Sequence, residues 1–357
     1  MLEPMDPLTH VMTGAVLART GFNRKAAYAT AAMAVAAEFP DIDVLWSFKG
    51  PVAVFEHHRG ITHTFLGIPF EAAAIVGLFW LTHRLFLNRQ QSRDTHSWKA
   101  TTPAPIHWPR LYLFSLIALL SHILLDYTNN YGIRPFFPFN PRWYAASIVS
   151  IVEPVILLFL FTALIAPVLF GLVSSEVGAR RQPFRGRGWA IAALTGIVAL
   201  WSLRAVERQK ALRLAQSADY NSTAVLRVDA NPHFINPFRW QTIAETPLTY
   251  QLGSADTFNA TLTTDPQADT FYKPPTTLAT LVAKRSWLGR IYLDWASFPL
   301  VTDTGLTPDG LTAVTFRDLR FVPDTAADRG NSALSGTVFV NDDRRIDHME
   351  MNGRIQH

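Results

Sequence analysis

Five short segments of this 357-residue chain carry side chains suited to metal-assisted hydrolysis: His10; Glu38, Asp41 and Asp43; His57, His58, Arg59 and His63; His122 and Asp126; and Glu153 followed by Pro154. Cysteine is absent, so disulfides, thiolate metal sites and cysteine nucleophiles are excluded and any metal must be held by imidazole and carboxylate. His122 and Asp126 are spaced i, i+4, which puts both on one face of a helix, within reach of one cation or in adjacent shells of it. A hydrogen-bonded pair joining two helices is the competing use. Three imidazoles within seven residues, with Gly60 permitting a tight turn, offer neutral nitrogen ligands, or else flank a helix at an interface. Arg59 suits an anionic oxygen such as phosphate, with lipid-headgroup anchoring as the plain alternative. After Pro40, Asp41 and Asp43 can aim both carboxylates at one metal, or one at the metal and one at the far nitrogen of a ligating histidine. A helix-terminating acidic turn explains the same pair. His10 suits ligation or the packing of the first helix. Glu38 and Glu153 are candidate bases for a bound water, although Glu153 also suits a helix entry with Pro154 in the first turn.

These segments need elements to position them. The chain is 49% hydrophobic and 17% charged, too apolar for one soluble domain and too uneven for a pure helical bundle. The net charge of +4 is modest and its basic residues fall in short loops between apolar runs, a membrane-topology pattern; no nucleic-acid partner is expected. The acidic, proline-broken start lacks the basic region of a signal peptide, so insertion is expected to rely on internal helices. Phe65 to Phe86, Leu111 to Leu125, Ile148 to Val173 and Trp189 to Leu203 are the candidate spans, measured against the roughly 20 helical residues a bilayer takes. Leu8 to Arg19 and Ala26 to Ala37 are shorter and predict a packed or re-entrant helical hairpin.

Arg89, Arg93, Lys99 and Arg110 in one loop, and Arg180, Arg181, Arg185 and Arg187 in another, place both loops on the cytoplasmic side by the positive-inside rule. All five chemistry-bearing segments and the chain after about Arg204 then fall on the opposite, outer side. From about Asp219 the composition becomes that of a soluble domain with strand-like alternation, and one helical stretch at about Thr277 to Leu293. The expected fold is an α-helical integral membrane domain over 1–205, with two short helices plus about four spans, followed by a small, mostly antiparallel soluble α+β domain over 206–357.

In this order, Asp6-Pro-Leu-Thr-His10, Phe39-Pro-Asp-Ile-Asp43, His57-His-Arg-Gly-Ile-Thr-His63, His122-Ile-Leu-Leu-Asp126 with Tyr131-Gly-Ile-Arg-Pro135, and Ile151-Val-Glu-Pro154 resemble the YdjM-like proteins of the bacterial inner membrane, described as membrane-bound metal-dependent hydrolases. The resemblance spans about residues 5 to 205, with a weaker extension through Asn231-Pro-His-Phe-Ile-Asn-Pro-Phe-Arg-Trp240. Where such proteins commonly carry Asp-Pro at the mouth of the later span, this chain has Glu153-Pro154, a longer arm for the same carboxylate. The resemblance implies a multi-pass protein of the inner membrane that hydrolyses a substrate with a metal.

The expected mechanism uses a divalent metal, zinc first and manganese or magnesium next, held by a subset of His10, Asp41, Asp43, His57, His58, His63, His122 and Asp126. Arg59 would meet the anionic substrate and Glu38 or Glu153 would assist proton transfer. A lipid or envelope-associated phosphoester near the outer interface is the expected substrate. A non-catalytic scaffold with a structural metal or helix-bonding cluster, and a metal or proton transporter continuing through Glu71, are the other classes these residues allow. Oligomeric state is not set by the sequence.

Overall fold

The computed structural model describes residues 7–87, 104–176, 186–220, 222–265, 267–323 and 333–356. The loop residues Arg89, Arg93, Lys99, Arg180, Arg181 and Arg185, on which the orientation was reasoned, and the acidic start lie outside them.

Low-charge stretches, the second of them alanine-rich, form the first helices, α1 (Pro7–Arg19) and α2 (Ala29–Glu38), which pack as an antiparallel hairpin. Their approach is close because Gly14 faces the backbone of α2: a Cβ there would lie 2.2 Å from the Met33 carbonyl oxygen. Pro40 stops α2, and a 3-10 segment, Phe39–Lys49, leads into α3 (Pro51–His57). A short turn through Gly60 and His63 follows, then α4 (Ile68–Thr82), which continues as a π-helical turn, His83–Leu87. The run expected as a span from Phe65 to Phe86 is therefore a 15-residue α-helix extended by a π turn, and with the preceding Pro51–His63 it forms a bent pair, meeting at 85°, that is long and apolar enough for one broken span.

Three further helices are long and apolar enough to cross a membrane among the described residues: α5 (Trp108–Thr128), α6 (Pro154–Glu176, over Pro154–Gly171) and α7 (Arg187–Ser217). Helix α6 begins only at Pro154: before it, the N–H groups of Ala146, Ile148 and Val149 donate to the last carbonyls of α5, those of Tyr127 and Thr128, which holds this stretch out of the helix. Met33, Ala118, Leu119 and Ile123 sit in one core shared by α1, α2, α4 and α5. Val16, Leu160 and Ala193 sit in a second, where α6 and α7 pack beside α1.

After α7 the chain forms two antiparallel five-stranded sheets. The first runs β1 (Arg227–Pro232), β2 (Arg239–Glu245), β3 (Thr249–Asp256) and β4 (Thr261–Thr263), with β5 (Thr270–Tyr272) also on β3. The second has the order β10 (Arg354–Gln356), β9 (Ile346–Met351), β8 (Gly336–Val340), β7 (Thr312–Asp318) and β6 (Pro299–Leu306). Between them the stretch expected as one helix is two, α8 (Leu278–Arg285) and α9 (Trp287–Trp295), because Ser286 adopts an extended conformation and caps the second. This domain docks on the rest through α3: Val52, Phe55 and Tyr131 share a core with Tyr292, Trp295 and Phe316.

Candidate metal centre

The last two turns of α5 supply His122 and Asp126 from one helix face, both fully buried. The 3-10 segment after α2 supplies Asp41 and Asp43, and the turn before α4 supplies His63. One ligand atom from each of Asp41, His63, His122 and Asp126 can be chosen so that all four lie within 4.8 Å of one another. The His63 and His122 Nε2 atoms are 3.0 Å apart. His63 Nε2 is 3.3 Å from Asp41 Oδ1 and 3.4 Å from Asp126 Oδ2, and His122 Nε2 is 3.3 Å from the latter.

Tautomers decide what these atoms can do. His122 Nδ1 lies 2.7 Å from the Ala37 carbonyl, which can only accept, so the ring places its proton there and turns the Nε2 lone pair inward. His63 Nδ1 is 3.1 Å from the Thr62 hydroxyl and 3.5 Å from Asp43 Oδ2, and a proton on it, donated to either, likewise leaves Nε2 bare. Both Asp41 oxygens and Asp126 Oδ2 are buried and receive no hydrogen bond from the described residues. With both ring protons on Nδ1, two lone pairs and two carboxylates converge on one point with no donor between them. Uncompensated, that is a costly burial of acceptors; a divalent cation resolves it, and the donor set fits one.

The surroundings hold this set in place. Arg59 is fully buried, with its Nη2 2.9 Å from Asp126 Oδ1 and its Nη1 donating to the carbonyl of Gly132 at 2.5 Å and to Asn129 Oδ1 at 3.3 Å. Its backbone sits at φ 55°, in the left-handed region, which lets its N–H donate to Asp43 Oδ2 at 2.8 Å. The neighbouring Gly60 is needed because a Cβ there would lie 2.7 Å from the His57 carbonyl. Burial raises the Asp43 carboxyl, but the hydrogen bonds from His58 and from the Arg59 N–H outweigh it and hold the pKa below the usual carboxylate value. His10 stacks on His122 at 3.9 Å between ring centroids and places Nε2 3.4 Å from Asp126 Oδ1.

Other residues singled out in the sequence lie elsewhere. His57 turns outward, stacks on Trp46 with centroids 3.7 Å apart, and bonds the Ala53 carbonyl. His58 stands 3.4 Å from Asp43, behind His63. Arg59 points inward to Asp126, where it neutralises a carboxylate of the protein itself. Glu153 is 2.9 Å from Arg204 of α7, and shares with His10 and Asp126 the wall of a cavity of about 20 Å³, room for about one water. Glu38 lines, beside Asp41, a larger apolar groove.

Sequence reasoning missed the residues behind Arg59. Asn129 receives Arg59 and the Tyr131 N–H on one oxygen, and the Arg59 guanidinium lies 4.7 Å from the centre of the Tyr131 ring. The same turn is braced from the sheet domain: Arg320 donates to the Asn130 carbonyl at 2.7 Å and Trp295 Nε1 to that of Tyr131 at 3.2 Å. The polar run Asn129-Asn130-Tyr131-Gly132 directly after Asp126 was the available signal. Arg204, a charge within an apolar helix, was the signal for a partner to Glu153.

Apolar helices of spanning length that close on a buried His/Asp cluster define a helical membrane protein with a candidate metal site. The chain belongs to the YdjM inner membrane protein family, whose model matches residues 5–211. It is similar to YfhP of Bacillus subtilis, a protein described as uncharacterized, with 26% identity over 160 residues, 43% of each chain. The chain thus matches less than half the length of this relative. No solved structure matches.

Proposed function

We propose that this chain is a membrane-bound, metal-dependent hydrolase of an ester or phosphoester, with Asp41, His63, His122 and Asp126 as ligands and zinc as the first candidate ion. The convergence of two imidazole Nε2 atoms and two carboxylates within 4.8 Å of one another carries the proposal. Zinc bonds of about 2.0–2.1 Å at tetrahedral angles put ligand atoms about 3.4 Å apart, close to the separations of His63 and His122 from the carboxylates. When bound, a divalent cation supplies an acidified water and polarises the scissile group. Around it, the Ala37 carbonyl holds His122 and the Thr62 hydroxyl and Asp43 hold His63 in their ligating tautomers, and Arg59 and His10 hold Asp126. Glu38, beside Asp41 in the groove, is placed to accept a proton from an incoming water, whereas Glu153 is engaged by Arg204.

In this proposal residues 1–205 form the multi-pass unit of a bacterial inner membrane, with two short helices plus about four spans, and 206–357 form the soluble domain. The cluster and that domain face the outer side. A cysteine introduced as Ser97→Cys should resist an impermeant external thiol reagent; labelling from outside overturns the orientation.

The deep burial of His63, His122 and Asp126 favours a second function, a structural metal in a non-catalytic scaffold. Elemental analysis of the detergent-purified protein beside folded His63→Ala and Asp126→Ala variants tests the site. Stoichiometric metal lost in both variants supports it, and a wild type that stays metal-free after reconstitution overturns it. Hydrolysis of bis(p-nitrophenyl) phosphate or p-nitrophenyl esters by the loaded wild type separates enzyme from scaffold.

A further inference from the structure

A groove of about 430 Å³ opens beside the hairpin, lined by Val11, Ala34, Val35, Phe39 and Ile42 together with Glu38 and Asp41. Its volume is that of a small-molecule site, yet its walls offer almost nothing to hydrogen-bond. Val11, Val35 and Ile42 are 37%, 40% and 42% exposed. The apolar surface continues along the 3-10 segment through Val44, Leu45 and Phe48, the last 88% exposed. At the end of that segment the Lys49 ammonium lies 4.6 Å from the centre of the Trp46 ring, the pairing of aromatic and cation that marks a bilayer interface. Such a surface on a membrane protein meets hydrocarbon, and its groove is lined in part by Asp41, whose carboxylate oxygens are themselves buried on the side of the proposed metal site.

We infer that this groove is a lateral entry site for one acyl chain of a membrane phospholipid, which brings the phosphate end of the lipid to Asp41. The placement of the phosphate rests on the metal-site proposal; the chain site does not. The groove recognises the tail by apolar contact alone, so headgroup selection falls to the polar end.

The full chain is reconstituted in vesicles of phosphatidylcholine and phosphatidylglycerol containing a small fraction of phosphatidylglycerol with a diazirine at the acyl terminus. After irradiation the adducts are mapped by peptide mass spectrometry. Adducts should be several-fold denser at Val11, Val35 and Ile42 than at Leu158 and Phe161, which are also exposed, on α6. Ala34→Trp, and independently Val35→Trp, should reduce groove adducts to the level of α6 while metal content stays at that of the wild type. Equal labelling across these positions, protein-to-protein cross-links at the groove in place of lipid adducts, or unchanged labelling in both folded tryptophan variants overturns the inference. Dense groove labelling of a wild type that cannot be loaded with metal supports the chain site while defeating the metal site.

Discussion

Asp43 shows how much of this centre depends on groups that do not face its middle. Its carboxylate stands behind His63, takes the Arg59 N–H, and is met by His58. Removing it leaves His63 Nδ1 with the Thr62 hydroxyl, which can donate as well as accept, so the ring can carry its proton on either nitrogen. Asp43→Ala should therefore weaken metal binding by about 10–100-fold with the four inward ligands intact, as loss of an outer carboxylate does elsewhere. Competition with a chromogenic chelator measures this, and an unchanged affinity would remove Asp43 from the site. The residue types that gather here were legible in the sequence. Which of three nearby imidazoles turns inward was not, because it is set by the positive φ of Arg59 and by backbone carbonyls such as that of Ala53, which holds His57 outward and which no side-chain pattern encodes.

At the scale of elements, the hairpin sets the distance between His10, the Asp41 segment and α5. Gly14 allows that distance, since any Cβ would meet the Met33 carbonyl. Gly14→Val should cost about 1–3 kcal/mol through forced separation of α1 and α2, read as a lowered melting temperature in detergent together with weaker metal retention. In the sheet domain, Glu245 faces Arg227 across β1 and β2 and bonds both it and Lys273, at 2.5 and 2.6 Å. Burial raises the Glu245 carboxyl, but these cations outweigh it and depress its pKa. A carboxylate depressed on folding contributes stability above its unfolded pKa, about 4.3, and loses it as pH falls through the folded value. Glu245→Gln should flatten the acid limb of melting temperature against pH below about 5 and leave the neutral region less stable; an unchanged acid limb would show that the pair does not matter. Apolar runs revealed the long helices well. Their ends were less visible: the bend between α3 and α4 and the late start of α6 come from tertiary hydrogen bonds and from Pro154.

Across the whole molecule, the metal-site unit and the sheet domain meet at the turn after Asp126. Arg320, itself bonded to Asp318, reaches out of the second sheet to the Asn130 carbonyl. Arg320→Met should loosen the turn that seats Arg59 and thereby weaken metal binding, with the sheets still folded by circular dichroism. Intact affinity in that variant would reduce the domain to a neighbour of the site. Nothing in the sequence pointed to this contact, which joins residues 190 positions apart.

Helix α7 has a further consequence. Its early residues Ala190, Ala193 and Ile197 belong to the core with α1 and α6, and its later Ala211 belongs to the core with Trp240 and Ala255 of the first sheet. One uninterrupted helix of 31 residues is therefore shared by both units, and the angle at which the sheet domain meets the membrane unit is a matter of helical phase. An alanine inserted after Leu203 would turn everything beyond it by about 100° and swing Arg320 and Trp295 off their turn; seven would nearly restore the angle but lift the domain by about 10 Å. The domain is thus geared to the membrane unit as a cam is to its shaft: a change in the length of that helix moves the whole domain, whereas a change in one of its loops does not.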